Sequence, residues 1–159
     1  MKRASVTAVI CMAVLLAMGR AWAVPPQTCT LSTSPINFGN YSYLSAADLL
    51  FSGPAISLQC DRGVARLEVS MGPGSGTSGF NPRQMTGPTA GDLMNYNLYR
   101  DAGSTEIWGD GSPGTFTVLV QNNWQQVPVV NLNVYGRVPQ GQLLRVGVYR
   151  DTVTVTIMW

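Results

Sequence analysis

Short segments in which apolar and polar residues alternate with a period of two constrain the fold of this chain most. The clearest run over residues 64–71, 115–121 and 127–135. The expected inward faces are Ala65, Leu67, Val69 and Met71 in the first, Phe116, Val118 and Val120 in the second, and Val130, Leu132 and Val134 in the third. This period is typical of half-buried antiparallel strands. Glycine and proline recur between the segments, so the sequence predicts an all-β sandwich or barrel.

The last segment of the chain alternates most regularly. Val153, Val155, Ile157 and Trp159 share one face, and threonines occupy the other. An ordinary final core strand would show the same pattern. Chain termini are more often frayed and polar, however. A strand that ends on an aromatic residue therefore suggests that this end of the chain has a use.

Residues 1–23 have the features of a secretory signal peptide. Lys2 and Arg3 precede an apolar run over residues 6–18, and Ala21-Trp22-Ala23 provides a cleavage signal. The run is too short for a bilayer core, which needs about 20 apolar residues. We expect a mature chain of residues 24–159, exported as one domain with no membrane-spanning segment.

Export changes the charge of the chain. Without Lys2, Arg3 and Arg20, the ten basic residues become seven, against eight acidic ones, for a net charge of −1. No basic patch remains that would favour nucleic acid or an anionic membrane as a partner.

Export also leaves an even number of cysteines, because Cys11 lies in the signal peptide. Cys29 and Cys60 remain, and an oxidising compartment favours a disulfide between them. A loop of this length would be stabilised by about 3–4 kcal/mol in the chain-entropy model. Two thiolates without histidine would not complete a structural zinc site.

Candidate catalytic residues are few. The chain contains no histidine, so Ser–His–Asp and Cys–His arrangements are absent. Its eight carboxylates show no spacing that predicts a facing pair in a cleft. Neither Gly109-Asp110-Gly111 nor the glycine-rich segment at 72–76 has the ending of a phosphate loop. We therefore expect no catalytic residue, cofactor or metal, and a non-enzymatic protein.

Two kinds of side chain remain as candidate interaction residues. Trp124 lies in a polar stretch, while Phe80 and Met85 lie in the segment 72–91, which is rich in glycine and proline and predicts a long loop or an irregular edge. These three either fold back against the sandwich or form an exposed adhesive patch. Asp101 and Asp151 each follow an arginine and are expected to cap turns or pair locally; either could instead order a loop.

The chain beyond the signal peptide resembles the spore coat protein U domain family, which includes subunits of archaic chaperone–usher pili. The resemblance covers nearly this whole region in order, and each piece alone is short. The matching pieces are the Cys29–Cys60 pair, Ile36-Asn37-Phe38-Gly39-Asn40-Tyr41, Tyr96-Asn97-Leu98-Tyr99-Arg100-Asp101, Trp108-Gly109-Asp110-Gly111, Val134-Tyr135-Gly136-Arg137-Val138-Pro139 and Gly147-Val148-Tyr149-Arg150-Asp151-Thr152-Val153.

The resemblance implies an incomplete immunoglobulin-like sandwich that lacks its final strand. It further implies an apolar acceptor groove beside the strand of Val153, Val155, Ile157 and Trp159. A periplasmic chaperone would fill this groove first, and a strand from another pilin-like subunit would replace it at an usher. The expected role is a structural subunit of a pilus or surface assembly; a stand-alone spore or cell-surface coat protein is the alternative. A secreted carbohydrate-binding module is a third hypothesis, which the residues present in the chain disfavour.

The N-terminus departs from polymerising members of the family. Only residues 24–28 separate the expected cleavage site from Cys29, and they include Pro25 and Pro26. Five residues span at most about 17 Å, and proline cannot donate to a strand ladder. The sequence therefore predicts a chain that accepts a donor strand without supplying one, either a subunit at the tip of an assembly or a coat or surface protein that does not polymerise head to tail.

Overall fold

The structure, a computed structural model, describes residues 27–76, 79–126 and 128–159. This part of the chain contains strands and no helix, which confirms the predicted fold class. The strands are β1 (Cys29–Thr33), β2 (Leu49–Cys60), β3 (Arg66–Met71), β4 (Arg83–Thr86), β5 (Leu93–Tyr99), β6 (Val118–Gln121), β7 (Val130–Val138) and β8 (Val155–Met158). The expected signal peptide lies outside the described residues and stays a prediction.

Two antiparallel sheets form the sandwich. The larger has the strand order β1-β2-β7-β5-β4, and the smaller has the order β6-β3-β8. Cys29 and Cys60 are direct partners across β1 and β2 and form the expected disulfide. This cross-link fixes the first strand to the longest one.

The core lies between the sheets and is built by the alternating faces. Leu67, Val69 and Met71 of β3 face inward and are buried, as their period predicts. In β7, inward Val134 and Val138 are fully buried, whereas Asn131 and Asn133 face solvent.

Two residues of the predicted inward faces point elsewhere. Ala65 is exposed, because β3 begins one residue later and Val64 is the buried neighbour. Phe116 is 39 % exposed and lies under the Arg100 guanidinium, 4.7 Å from the ring centre. Phe116 precedes β6 and forms an isolated bridge with Trp108. Its side chain therefore does not follow the alternation of β6, which starts at Val118.

The segment 72–91 contains an edge strand, β4, that carries a fully buried arginine. Arg83 donates to Gly72 O and Trp108 O, both at 2.7 Å, and to Asn97 Oδ1 at 2.7 Å. Its guanidinium also faces the Phe80 ring at 5.3 Å. No acidic side chain of the described residues forms an ion pair with it. Arg83 therefore fastens β4 to Gly72, Asn97 and Trp108 by bonding neutral backbone and amide oxygens.

Candidate functional site

A groove of about 1150 Å³ opens between the two sheets. Its lining includes residues 33–43, which follow β1, and most of residues 142–155, which lead into β8. We call residues 33–43 the first wall and residues 142–153 the second wall. The floor is formed by buried side chains of both sheets, which are Ile56, Met71, Met85, Met94, Tyr96, Leu98, Val134 and Val138.

The first wall packs on the larger sheet through Phe38. A Cβ atom added at Gly136 of β7 would lie 2.6 Å from this ring, so a larger residue there would displace the wall. Phe38 also meets Phe51 and Tyr96 edge to face. Between Pro35 and Tyr41, no backbone–backbone hydrogen bond joins the wall to any other described residue.

The second wall also lacks backbone partners among the described residues until Arg150, which bonds Thr86 in both directions. Over residues 141–149 the described part of the chain shows no backbone–backbone hydrogen bond. Val146 and Val148, which line the groove mouth, are 102 % and 65 % exposed. Apolar side chains beside unpaired backbone are the features that a further strand would cover.

The outer edge of β8 is also open. Among the described residues β8 pairs only with β3, in the register Val155↔Met71 and Ile157↔Val69. Val153, Val155 and Ile157 point toward the core but stay half-buried, whereas the intervening threonines are exposed. Inward side chains that remain half-buried show that the core is incomplete along this edge.

Asp151 connects the second wall to both the floor and a loop. Its Oδ2 accepts from the Tyr96 hydroxyl at 2.6 Å, and its Oδ1 accepts from Ser75 N and Ser75 Oγ, each at 2.7 Å. Burial, together with this bond to Asp151, raises the pKa of Tyr96 well above its usual range. Tyr96 therefore stays a neutral hydrogen-bond donor. Asp151 orders a loop, which is the second of the two roles that the sequence suggested for it.

Asp101 instead follows the first interpretation and caps a turn. It accepts from Glu106 N at 2.7 Å and from Thr105 N at 3.1 Å. Its arginine neighbour, Arg100, pairs with Glu106 at 2.8 Å.

The four predicted acceptor-strand residues are placed unequally. Val153 and Val155 line the groove, and Ile157 packs on the core beyond it. Trp159 is 55 % exposed and lies outside both the groove lining and β8. Of the four predicted residues, only Val153 and Val155 therefore line the groove.

Of the two interpretations offered for Trp124, Met85 and Phe80, Trp124 and Met85 follow the first and fold back against the sandwich, which rules out their exposure in an adhesive patch. Trp124 is 5 % exposed and belongs to the core, because its turn folds back over the sandwich, where a large aromatic side chain gains most from burial. Met85 is buried in β4 and forms part of the groove floor. Phe80 is half-buried against Arg83. These three residues do not form one exposed surface.

The described residues contain no cluster of three or more cysteine or acidic side chains that could bind a metal ion. A search of the same residues finds no helix long and apolar enough to cross a membrane.

Two sheets that enclose a core open along one edge define an immunoglobulin-like β-sandwich that lacks its closing strand. The Spore Coat Protein U domain model matches residues 15–156. A curated relative, Protein U of Myxococcus xanthus, is 34 % identical over 130 residues, which span 77 % of this chain and 70 % of that protein. The chain belongs to the Spore Coat Protein U domain family.

A solved structure shares the fold at low identity. The crystal structure of the CsuC–CsuE chaperone–tip adhesion subunit complex, from archaic chaperone–usher Csu pili of Acinetobacter baumannii, matches with a TM-score of 0.59 at 19 % identity. The match covers 84 % of this chain and 40 % of that one, so this chain spans less than half of its solved relative. A minor tip subunit of the E. coli Hda pilus, HdaB, gives a TM-score of only 0.34 at 14 % identity, over 82 % of this chain and 79 % of that one.

Proposed function

We propose that this protein is a subunit of a pilus-type surface assembly and that its groove accepts a β-strand from another chain. One observation carries the proposal: β8 has an unpaired edge beside an apolar groove, and residues 35–41 and 141–149 along its walls show no backbone–backbone hydrogen bond within the described part of the chain. A strand inserted there would bond the backbone on both sides and bury alternate side chains on the floor. Burying about four apolar side chains of the inserted strand in the groove would contribute roughly 6–12 kcal/mol of hydrophobic free energy.

The comparisons support this role and suggest the partners. The family model and the chaperone–subunit complex among the structural relatives both fit a protein that is delivered by a periplasmic chaperone and passed to an usher. An exported, surface-located subunit is the corresponding localisation. The tip position expected from residues 24–28 stays a prediction, since residues 24–26 lie outside the described part of the chain.

A stand-alone spore or cell-surface coat protein of the same fold is the second candidate function. It is favoured by the family description and by the 34 % identity to Protein U.

Charge placed in the groove should prevent complex formation. Val153→Asp puts a carboxylate where an inserted strand would remove water, and a buried charge without a partner costs several kcal/mol. We expect the yield of a complex with a co-expressed periplasmic chaperone to fall about tenfold or more, since every 1.4 kcal/mol is a factor of ten. Co-purification from the periplasm measures this yield.

Thr154→Asp is the matched control, because it adds the same charge next to Val153 on the exposed face of the strand. Its complex should form at the level of the unmodified protein. Equal yields for both variants would contradict strand acceptance at this groove.

A further inference from the structure

The groove is closed at one end by a contact between its two walls. The backbone N–H of Gln142 donates to the Tyr41 hydroxyl at 2.6 Å. Tyr41 lies near the end of the first wall, and Gln142 is the first residue of the second. At the opposite end the walls continue into β1 and β8 and are not joined to each other within the described residues. The groove therefore has one open and one closed end.

The side chain of Gln142 fastens this closed end to the larger sheet. Its Oε1 accepts from Asn95 N at 2.7 Å, and its Nε2 donates to Asn95 O and Pro139 O, each at 3.0 Å. β7 pairs with β5 in the register Arg137↔Asn97. If this register is continued by two residues, Pro139 lies opposite Asn95, and proline has no backbone N–H. The Gln142 Nε2 therefore gives Asn95 O the N–H donor that Pro139 lacks, and the Gln142 Oε1 accepts from Asn95 N.

The polarity of the walls determines which part of a donor reaches this contact. The second wall runs from Gln142 at the closed end toward β8 at the open end. A donor that pairs antiparallel with β8 therefore runs from the open end to the closed end. Its last residues meet Tyr41 and Gln142.

A groove of this kind needs a means of fixing register. A slip of one residue would turn the apolar side chains of the donor away from the floor, so the floor itself prevents it. A slip of two residues keeps the same face inward, and the floor resists it only weakly. We propose that the contact of Tyr41, Gln142 and Asn95 is a stop that fixes the register of the donor strand; this inference rests on the proposed function.

Disulfide trapping can measure the register. The protein carries Thr154→Cys, an exposed position of the strand that borders the groove. The probe is a set of peptides of about twelve residues that alternate threonine and valine, each with one cysteine at a different threonine position. Because the repeat favours no register, any preference comes from the protein. Directly paired residues of antiparallel strands lie within disulfide distance.

With Tyr41 and Gln142 intact, one peptide position should dominate the cross-linked product. Gln142→Ala removes the side chain, and Gln142→Glu turns a donor into an acceptor that faces Asn95 O and Pro139 O. Tyr41→Phe removes the accepting hydroxyl and keeps the ring. In each variant the product should spread to positions two residues away. Gln140→Ala, an exposed residue outside the groove lining, is the control and should keep the single position.

The outcomes separate this inference from the proposed function. A single unchanged position in all three variants would overturn the stop while leaving strand acceptance intact. Spread products with the unmodified groove would also overturn it. If no peptide cross-links at all, strand acceptance fails, and the stop fails with it.

Discussion

A donor strand fused after Trp159 should raise the free energy of unfolding by about 3 kcal/mol or more, because its valines leave water and each fully buried one gains about 1.5–3 kcal/mol. The fusion consists of a short turn and about ten residues that alternate valine and threonine. These residues would pair with the open edge of β8 and cover the half-buried Val153 and Val155. Denaturant unfolding of the fused and unfused proteins measures the difference.

The control fusion has the same composition in an order without alternation. It cannot place all its valines on the floor, so its stability should stay within about 1 kcal/mol of the unfused protein. Equal stabilisation by both fusions would show that the added residues act outside the groove.

Arg83→Met should lower the free energy of unfolding by about 3–5 kcal/mol, because it removes the donor for three buried acceptors, each costly when unsatisfied. The acceptors are Gly72 O, Trp108 O and Asn97 Oδ1. Methionine fills similar space, so the loss reports the hydrogen bonds more than a cavity. Chemical denaturation followed by tryptophan fluorescence measures the change, since Trp108 is one of the bonded residues.

Arg66→Met is the matched control, because Arg66 is an exposed arginine at the start of β3. A surface substitution of this kind should change stability by no more than about 0.5 kcal/mol. If Arg83→Met were as mild as Arg66→Met, the bonds of Arg83 would not hold β4 in place.

The sequence predicts the strands whose inward faces are uninterrupted. β3, β7 and β8 follow the period of two because each packs one face on the core. β2 is the longest strand and does not stand out in the sequence. Gly53 and Pro54 interrupt it, and a shift in register follows Pro54, so its alternation breaks in the middle.

The segments that form the two walls resemble the family in sequence, but the sequence does not show that they face each other across one groove. Residues 36–41 and 147–153 match the family, and the structure places both along the groove. Periodicity describes one strand at a time and does not indicate which strand lacks a neighbour. The family resemblance implied a groove beside this strand, and the pairing of the sheets gives β8 its open edge.

Individual side chains were the least predictable features. Trp124 lies among polar residues in the sequence, yet its turn brings it into the core. Arg83 donates to Trp108, which is distant in sequence, and the contact of Gln142 with Asn95 depends on where β7 ends. No local sequence pattern therefore indicates either role.

Hydrogen exchange of the backbone amides along the groove tests strand acceptance most directly. The informative amides are those of residues 36–41, of residues 144–149 and of β8 where they do not bond to β3. Adding the threonine–valine peptide at about 100 times its dissociation constant should slow their exchange about 100-fold. Amides in the β2–β7 pairing should change little. Unchanged exchange along the walls at saturating peptide, or strong protection there before any peptide is added, would contradict an open groove that another chain completes.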